Sequence, residues 1–320
     1  MISTRPVGQT PLIDFLKRIK AKRHLSHAYL FCGPEGIGKK TMARYFTQLL
    51  LCDAPAPCGT CKACTLTGAG TNPDVVTVSP EGKASIGVDK IRSLIREVYI
   101  KPSICRYKVF LIEQAHLLTP EAQNALLKVV EEPPEYAVFL LLCSNLSLLL
   151  PTIRSRVVTL RVLPLKNEAL EQIANVSDPV LEAYAAGNPG RYLKLLSDDE
   201  LKSLRNGLFD ALPHLLSNDR FEIYPLLAFF ESGKERRDTL FEILISFFRD
   251  VLFERLSCSE YAVNRDHADL VREFSQTLTL RASYGVLNTV QKAQRELGKY
   301  GAYTLHVHAM LIKCWEEIHG

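Results

Sequence analysis

An α/β domain organised around a phosphate-binding loop and followed by an all-helical C-terminal part is the fold class the sequence predicts. Three observations carry it. Ala28-Tyr-Leu-Phe-Cys32 is an apolar run fit for a buried strand, and it passes through a glycine-rich turn into the helical pattern of Met42–Leu51. Lys108–Ile112 and Val138–Leu142 are further apolar runs that end in polar residues, as parallel strands covered on both faces do. From Asp210 onward the apolar period becomes helical.

The turn reads Gly33-Pro-Glu-Gly-Ile-Gly-Lys39-Lys40-Thr41. Gly33, Gly36 and Gly38 let the backbone curl so that its amides face phosphate oxygens. The following helix adds partial positive charge, and Lys39 reaches the outer phosphates. A hydroxyl normally follows the loop lysine and ligates Mg²⁺; here that residue is Lys40. Thr41 is no direct substitute, because one step along a helix turns the side chain by about 100°.

Lys108-Val-Phe-Leu-Ile112 is followed by Glu113-Gln114, where ATP-hydrolysing proteins of this type place Asp then Glu. Glu113 retains a charge for a metal, but Gln114 has no basic lone pair and cannot serve as a general base. Two departures at two separate elements argue against Mg²⁺-dependent ATP hydrolysis. The next helix is signposted by Thr119 as cap, Pro120 at its first position and Glu121 at the positive end of its dipole. It spans Ala122–Glu132 and stops at Pro133-Pro134. Ser144-Asn145 then closes the third strand beside the loop, where a polar residue can sense a phosphate or simply turn the chain.

Cys52, Cys58, Cys61 and Cys64 place four thiols within thirteen residues, a set able to close a tetrahedron about Zn²⁺; iron–sulfur ligation is the chemical rival. Pro55, Pro57 and Gly59 favour tight turns here over a helix. With no ligand position left for water, the site reads as structural. The other five cysteines lie mostly among apolar neighbours and read as packing residues.

Two arginines, Arg154 and Arg156, precede a β-branched run from Val157, and Arg191 opens a helix after Gly187-Asn-Pro-Gly190. An arginine at a domain edge can stabilise charge on a phosphate held by a neighbouring subunit, or simply form a surface ion pair. In the C-terminal third, Leu240, Ile243, Leu244, Phe247, Phe248, Val251 and Leu252 follow helical spacing. Phe241, Ile245 and Phe253 widen that stripe, so the helix is covered on more than one side. Leu278–Leu297 and Leu305–Trp315 predict two more helices, while His306, His308 and His319 are spaced poorly for a metal.

The 320 residues are 47% hydrophobic and 23% charged, values that allow a sizeable core, and the net charge of +4 neither demands nor excludes nucleic acid. The first residues lack the apolar stretch of a signal peptide. The longest apolar segment, Val138–Leu150, is broken by Cys143-Ser-Asn and too short to span a bilayer. A cytoplasmic protein with reduced cysteines and no membrane partner is therefore expected.

In this order, over roughly residues 1–200, the motifs resemble the bacterial clamp-loader subunits of the AAA+ class. The matching stretches are Val7-Gly8-Gln9, His27–Phe31, the phosphate loop with its cysteine module, Asn72-Pro-Asp74 and Tyr107–Ile112. Gln123–Lys128, Glu131-Glu-Pro-Pro134 and Leu150–Arg156 continue the series. The resemblance implies an AAA+ P-loop domain over 1–163 with a zinc module at about 52–64, a helical lid over 164–208 and a helical collar over 209–320. It also implies that Arg156 is an arginine finger acting in trans, with Val157 where the family has Cys. Asn145 would be the sensor asparagine and Arg191 the second sensor. Lys40 and Gln114 resemble the delta-prime branch, a rigid subunit of the DNA polymerase III assembly with its zinc module. The implied partners are sister subunits of the gamma/tau and delta types in a ring, with a sliding clamp and primed DNA at the level of the complex. Two other readings stay open. One is a motor subunit in which Glu113 holds Mg²⁺ and Gln114 orients water; the other is a zinc-containing DNA-binding protein with a vestigial loop.

Overall fold

The computed structural model describes residues 6–22, 25–297 and 303–320. They form two compact units, one comprising the described residues of 1–177 and 186–193, the other those of 178–185 and 194–320.

The first unit runs α1 (Thr10–Lys22), β1 (Ala28–Cys32), α2 (Lys39–Leu51), α3 (Lys62–Ala69), β2 (Val75–Val78) and α4 (Val88–Val98). It continues with β3 (Lys108–Ile112), α5 (Pro120–Glu131), β4 (Ala137–Cys143), α6 (Pro151–Arg154), β5 (Val158–Arg161) and α7 (Asn167–Ala174). The strands form one parallel sheet in the order β2-β3-β4-β1-β5. Every residue of β1, β3 and β4 is buried, which explains their unbroken apolar character: each sheet face is roofed by helices. Leu30, Phe110, Phe139 and Leu141 pack with Ile91 and Leu94 of α4 and with Leu126 and Val129 of α5. Tyr29, Phe31, Val109 and Leu140 face Met42, Phe46 and Leu49 of α2 and Leu16 of α1.

Local signals set the element ends. Thr119 accepts the Ala122 N–H and Pro120 opens α5, as expected of that cap and first position; the helix thus begins two residues before Ala122 and ends one before Glu132. In the cysteine segment the expected turns hold only as far as Cys61. That residue caps α3 through its sulfur, which accepts the Cys64 N–H, so Cys64 lies in a helix rather than a turn.

Beyond α7 the helices are α8 (Pro179–Ala185), α9 (Pro189–Leu196), α10 (Asp199–Ala211), α11 (Tyr224–Ser232) and α12 (Arg237–Arg255). Then come α13 (Ala268–Thr277), α14 (Leu280–Glu296) and α15 (Tyr303–His319). Helix α12 buries the predicted stripe as far as Val251 and, with Phe241 and Ser246, more than one side; Ile245, Leu252 and Phe253 are only partly buried. Phe247 meets Phe274 of α13 and Phe209 of α10 ring to ring. A polar network also threads the second unit. Arg205 makes a two-pronged pair with Asp266, and Asn264 joins Arg205, Tyr184 and the fully buried Asp250. The predicted C-terminal helices are α14, capped by Thr279, and α15. His306 and His319 each meet a backbone carbonyl, and His308 lies against the Tyr224 ring. Among the described residues no helix is long and apolar enough to cross a membrane.

Candidate functional site

Strand β1 ends at Cys32 and the chain turns through Gly33–Gly38 into α2, whose N-cap, Gly38, has left-handed backbone at φ 101°. Gly36 is required twice over. Its φ is 80°, and an added Cβ would lie 2.7 Å from the Asn188 side-chain oxygen. The Asn188–Gly190 turn, at the start of α9, grips the loop from outside: Asn188 donates to the Glu35 carbonyl at 2.7 Å and the Gly190 N–H to that of Gly36 at 3.0 Å. The Arg191 N–H bonds the Asn188 side chain, which sets Arg191 beside the loop.

Inside the turn, Lys39 donates to the carbonyls of Gly33 and Pro34, both at 2.7 Å, and to Ser144 Oγ at 3.0 Å. Burial lowers its pKa from the usual lysine value. Lys40 Nζ lies 2.6 Å from Glu113 Oε1. A cavity of about 320 Å³ opens here, lined by Glu35, Gly36, Gly38, Lys39, Lys40, Glu113, Gln114, Leu142 and Ser144. Gln114 takes a left-handed conformation at φ 52°, a backbone that L residues adopt at a cost. Thr41 is exposed and does not line that cavity. The residues present do not suit Mg²⁺: the acid that would hold the ion already has a cation in contact, and no hydroxyl follows Lys39.

Asn145 is engaged with Ser147. Its side-chain oxygen accepts from the Ser147 N–H at 3.0 Å and from Ser147 Oγ at 2.7 Å, and it lines the adjoining cavity with Pro34. Two further residues stand at the loop: Ser144, which the sequence marks together with Asn145 at the strand end, and His116, which it does not single out. Ser144 touches Lys39, and its N–H points at His116 Nδ1 at 3.4 Å. Burial first, and the Lys39 charge second, hold the His116 pKa below its usual value. The strand register signals Ser144: Cys32 pairs with Cys143, so the next residues of both strands emerge side by side.

Arg156 lies at the other end of the sheet's helical layer, after α6. Its Nε is 2.7 Å from Glu131 Oε1, and Nη1 donates to the Thr152 carbonyl at 3.0 Å and to Ser155 Oγ at 3.3 Å. Two-fifths of its side chain is exposed. The Glu131-Glu-Pro-Pro134 motif thus supplies the carboxylate that orients the arginine.

Cys52, Cys58, Cys61 and Cys64 bring their sulfurs within 4.8 Å of one another. Cys52 and Cys61 are 3.8 Å apart, and a tetrahedral zinc with bonds of about 2.3 Å would space its sulfurs by about 3.8 Å. The set therefore fits a metal ion. Cys52 is the C-cap of α2, and Lys20 of α1 donates to the carbonyls of Cys52 and Ala54. The Cys61 and Thr60 N–H groups, with the Thr60 hydroxyl, draw the Cys58 thiol down to about 6, whereas burial pushes Cys64 up to about 12. Asn72 ties the module to the sheet: its amide donates to Thr67 Oγ1 of α3, and its oxygen accepts the Asp74 N–H.

A parallel sheet in this strand order, with a phosphate loop after β1 and an acid after β3, defines a P-loop domain of the AAA+ class. The family described as DNA polymerase III, delta subunit, matches residues 8–166, and its C-terminal counterpart matches 199–311. The chain belongs to the DNA polymerase III clamp-loader subunit family. It is 30% identical to DNA polymerase III subunit tau of Bacillus subtilis over 91% of this chain and 57% of that protein. It is 45% identical to DNA polymerase III subunit delta' of Pseudomonas aeruginosa over 42% of each chain. A gamma subunit-related protein of Thermotoga maritima superposes with a TM-score of 0.49 at 20% identity, covering 96% of this chain and 99% of that one. The matches thus span 57% and 42% of the two curated relatives' own lengths.

Proposed function

We propose that this chain is a delta-prime-type clamp-loader subunit: an AAA+ scaffold that does not hydrolyse ATP and lends Arg156 to the nucleotide site of a neighbouring subunit. The carrying observation is the Lys40–Glu113 contact at 2.6 Å, which puts an amine where a hydrolysing site needs a metal. Gln114 lacks the basicity to activate water. Arg156 is exposed, and its Glu131 partner orients it at the surface. An arginine supplied in trans to a phosphate needs that placement.

In this reading residues 1–163 form the P-loop domain, 164–208 a lid that brings Arg191 to the loop, and 209–320 a collar that assembles with sister subunits. Asn145 and Arg191 are retained sensors of a loop that has lost turnover. The four cysteines hold a structural Zn²⁺, for which they supply every ligand. The partners are gamma/tau- and delta-type subunits in a cytoplasmic ring that loads a sliding clamp onto primed DNA. The test has two arms. The purified chain should show no ATP turnover, and a rate on the order of 1 s⁻¹, ordinary for an enzyme, overturns the scaffold reading. Arg156→Ala in the reconstituted ring should slow hydrolysis at the facing site by on the order of 10³-fold. Unchanged ring ATPase refutes the role in trans.

A motor-subunit reading draws on the tau relative, whose match extends over 91% of the chain. It predicts turnover by the chain alone, abolished by Lys39→Ala. The Lys40–Glu113 contact weighs against it, because the motor would first have to break that pair.

A further inference from the structure

We infer that the loop at Gly33–Lys39 is a metal-independent polyphosphate site, in which Lys40 takes the place of Mg²⁺ and the ligand is the uncomplexed tail of a nucleoside di- or triphosphate. The inference rests on the proposed loss of hydrolysis and names what the altered site still holds.

Lys39 and Lys40 open α2 side by side and line one cavity of about 320 Å³, room for a phosphate tail at the glycine turn. The two ammonium groups have different partners. Among the described residues the hydrogen bonds of Lys39 go to neutral oxygens, the carbonyls of Gly33 and Pro34 and the Ser144 hydroxyl, while the Glu35 carboxylate acts on it through space; an arriving phosphate oxygen can replace those neutral acceptors with a charged one. Lys40 is set against Glu113, whose side chain is 17% exposed while that of Lys40 is 58% exposed. The carboxylate thereby holds the Lys40 amine at the rim of the cavity, where its other N–H donors can reach a phosphate oxygen.

Metal-dependent loops bind nucleotide as its Mg²⁺ complex, because the ion bridges phosphate oxygens and is itself held by the protein. Here a divalent ion arriving with the phosphates would meet Lys40 at the position it needs, with Glu113 already neutralised. Like charges at that distance repel, and more strongly in a partly desolvated cleft than in water. The same amine favours the bare polyphosphate, whose extra negative charge it answers. Mg²⁺ therefore acts as a competitor, sequestering ligand in a form the site rejects.

The experiment measures ADP and ATP binding to the full chain by calorimetry, in excess EDTA and in millimolar Mg²⁺. Binding should be tighter in EDTA by about tenfold, an ordinary size for coupling between two ligands of one site. Lys40→Thr should invert the preference, since Glu113 is then free to hold a hydrated ion. Lys39→Ala should remove binding in both buffers, which assigns it to this loop. The melting temperature of each variant without nucleotide monitors folding. Binding that requires Mg²⁺ overturns the inference, and so does absence of binding in both buffers. Neither result touches the scaffold reading, which turnover by the chain or an inert Arg156 would overturn.

Discussion

Helix α2 has the phosphate loop at its start and the four-cysteine cluster at its end, and the two ends meet their polar groups in opposite ways. At its start, the phosphate loop answers its charged groups with the protein's own side chains: Lys40 against Glu113, and Lys39 against Gly33, Pro34 and Ser144. At its end, Cys52 joins three other thiols whose sulfurs sit at metal-ligand spacing and draw hydrogen bonds from local N–H and hydroxyl groups. The first set is balanced by the protein's own side chains; the second has the spacing that a metal ion would complete. Changes at the metal end should therefore register mainly as stability, and changes at the phosphate end mainly as ligand selectivity.

The largest effect follows from removing the metal. A strong chelator, or Cys61→Ser, should destabilise the chain by on the order of 5 kcal/mol, because ligand-binding energy in such modules is folding energy. Metal analysis should find zinc in the purified protein, and thermal unfolding should show the loss; iron, or an unchanged melting temperature, breaks the comparison at its metal end. Next comes Asp74, which is almost fully buried and accepts the N–H groups of Ser103, Ile104 and Cys105 at 2.6–2.8 Å. Asp74→Ala leaves three donors without their charged acceptor and should cost about 3 kcal/mol. Burial alone would raise this carboxyl's pKa, yet the three N–H bonds outweigh it and the net shift is downward. A depressed carboxyl stabilises the fold above its unfolded pKa of about 4 and loses that contribution as pH falls through the folded value. The stability gap between wild type and Asp74→Asn should thus be flat near neutrality and close under acid, as denaturant titrations at several pH values would show.

Much of this layout was legible in the sequence, and the line between legible and hidden runs along contact range. Ala28–Cys32, Lys108–Ile112 and Val138–Leu142 announced buried strands because local apolarity records burial on both faces. Thr119 announced its helix because a cap is a contact over three residues. The Lys40–Glu113 pair was not visible, although both departures were: 73 positions separate the two residues, and only the β1–β4–β3 order brings them together. The grip of Asn188 and Gly190 on Glu35 and Gly36 is hidden for the same reason. Asn72-Pro-Asp74 carried a family resemblance without a chemical role; the structure shows it latching α3 and the 103–105 segment to the sheet. The helix holding Cys64 escaped notice because the preceding prolines and glycine dominate the local composition, while the cap that starts it is a cysteine sulfur.

Two smaller predictions bear directly on the contrast between the ends of α2. Lys20→Met removes the donors to the Cys52 and Ala54 carbonyls and should cost about 1 kcal/mol. If the metal end behaves as a folding unit, the same variant should also release zinc faster to a chelator. An unchanged release rate confines Lys20 to tethering α1. Lys40→Thr should have the least effect on stability, within about 1 kcal/mol, because its ion pair is exposed on the lysine side and such pairs contribute little. That near-neutrality would sharpen the difference: on the inference drawn above, Lys40 acts on which form of phosphate enters the loop and little on the stability of the fold. A large drop in melting temperature for Lys40→Thr would instead make the pair structural, and the two ends of α2 would then be alike.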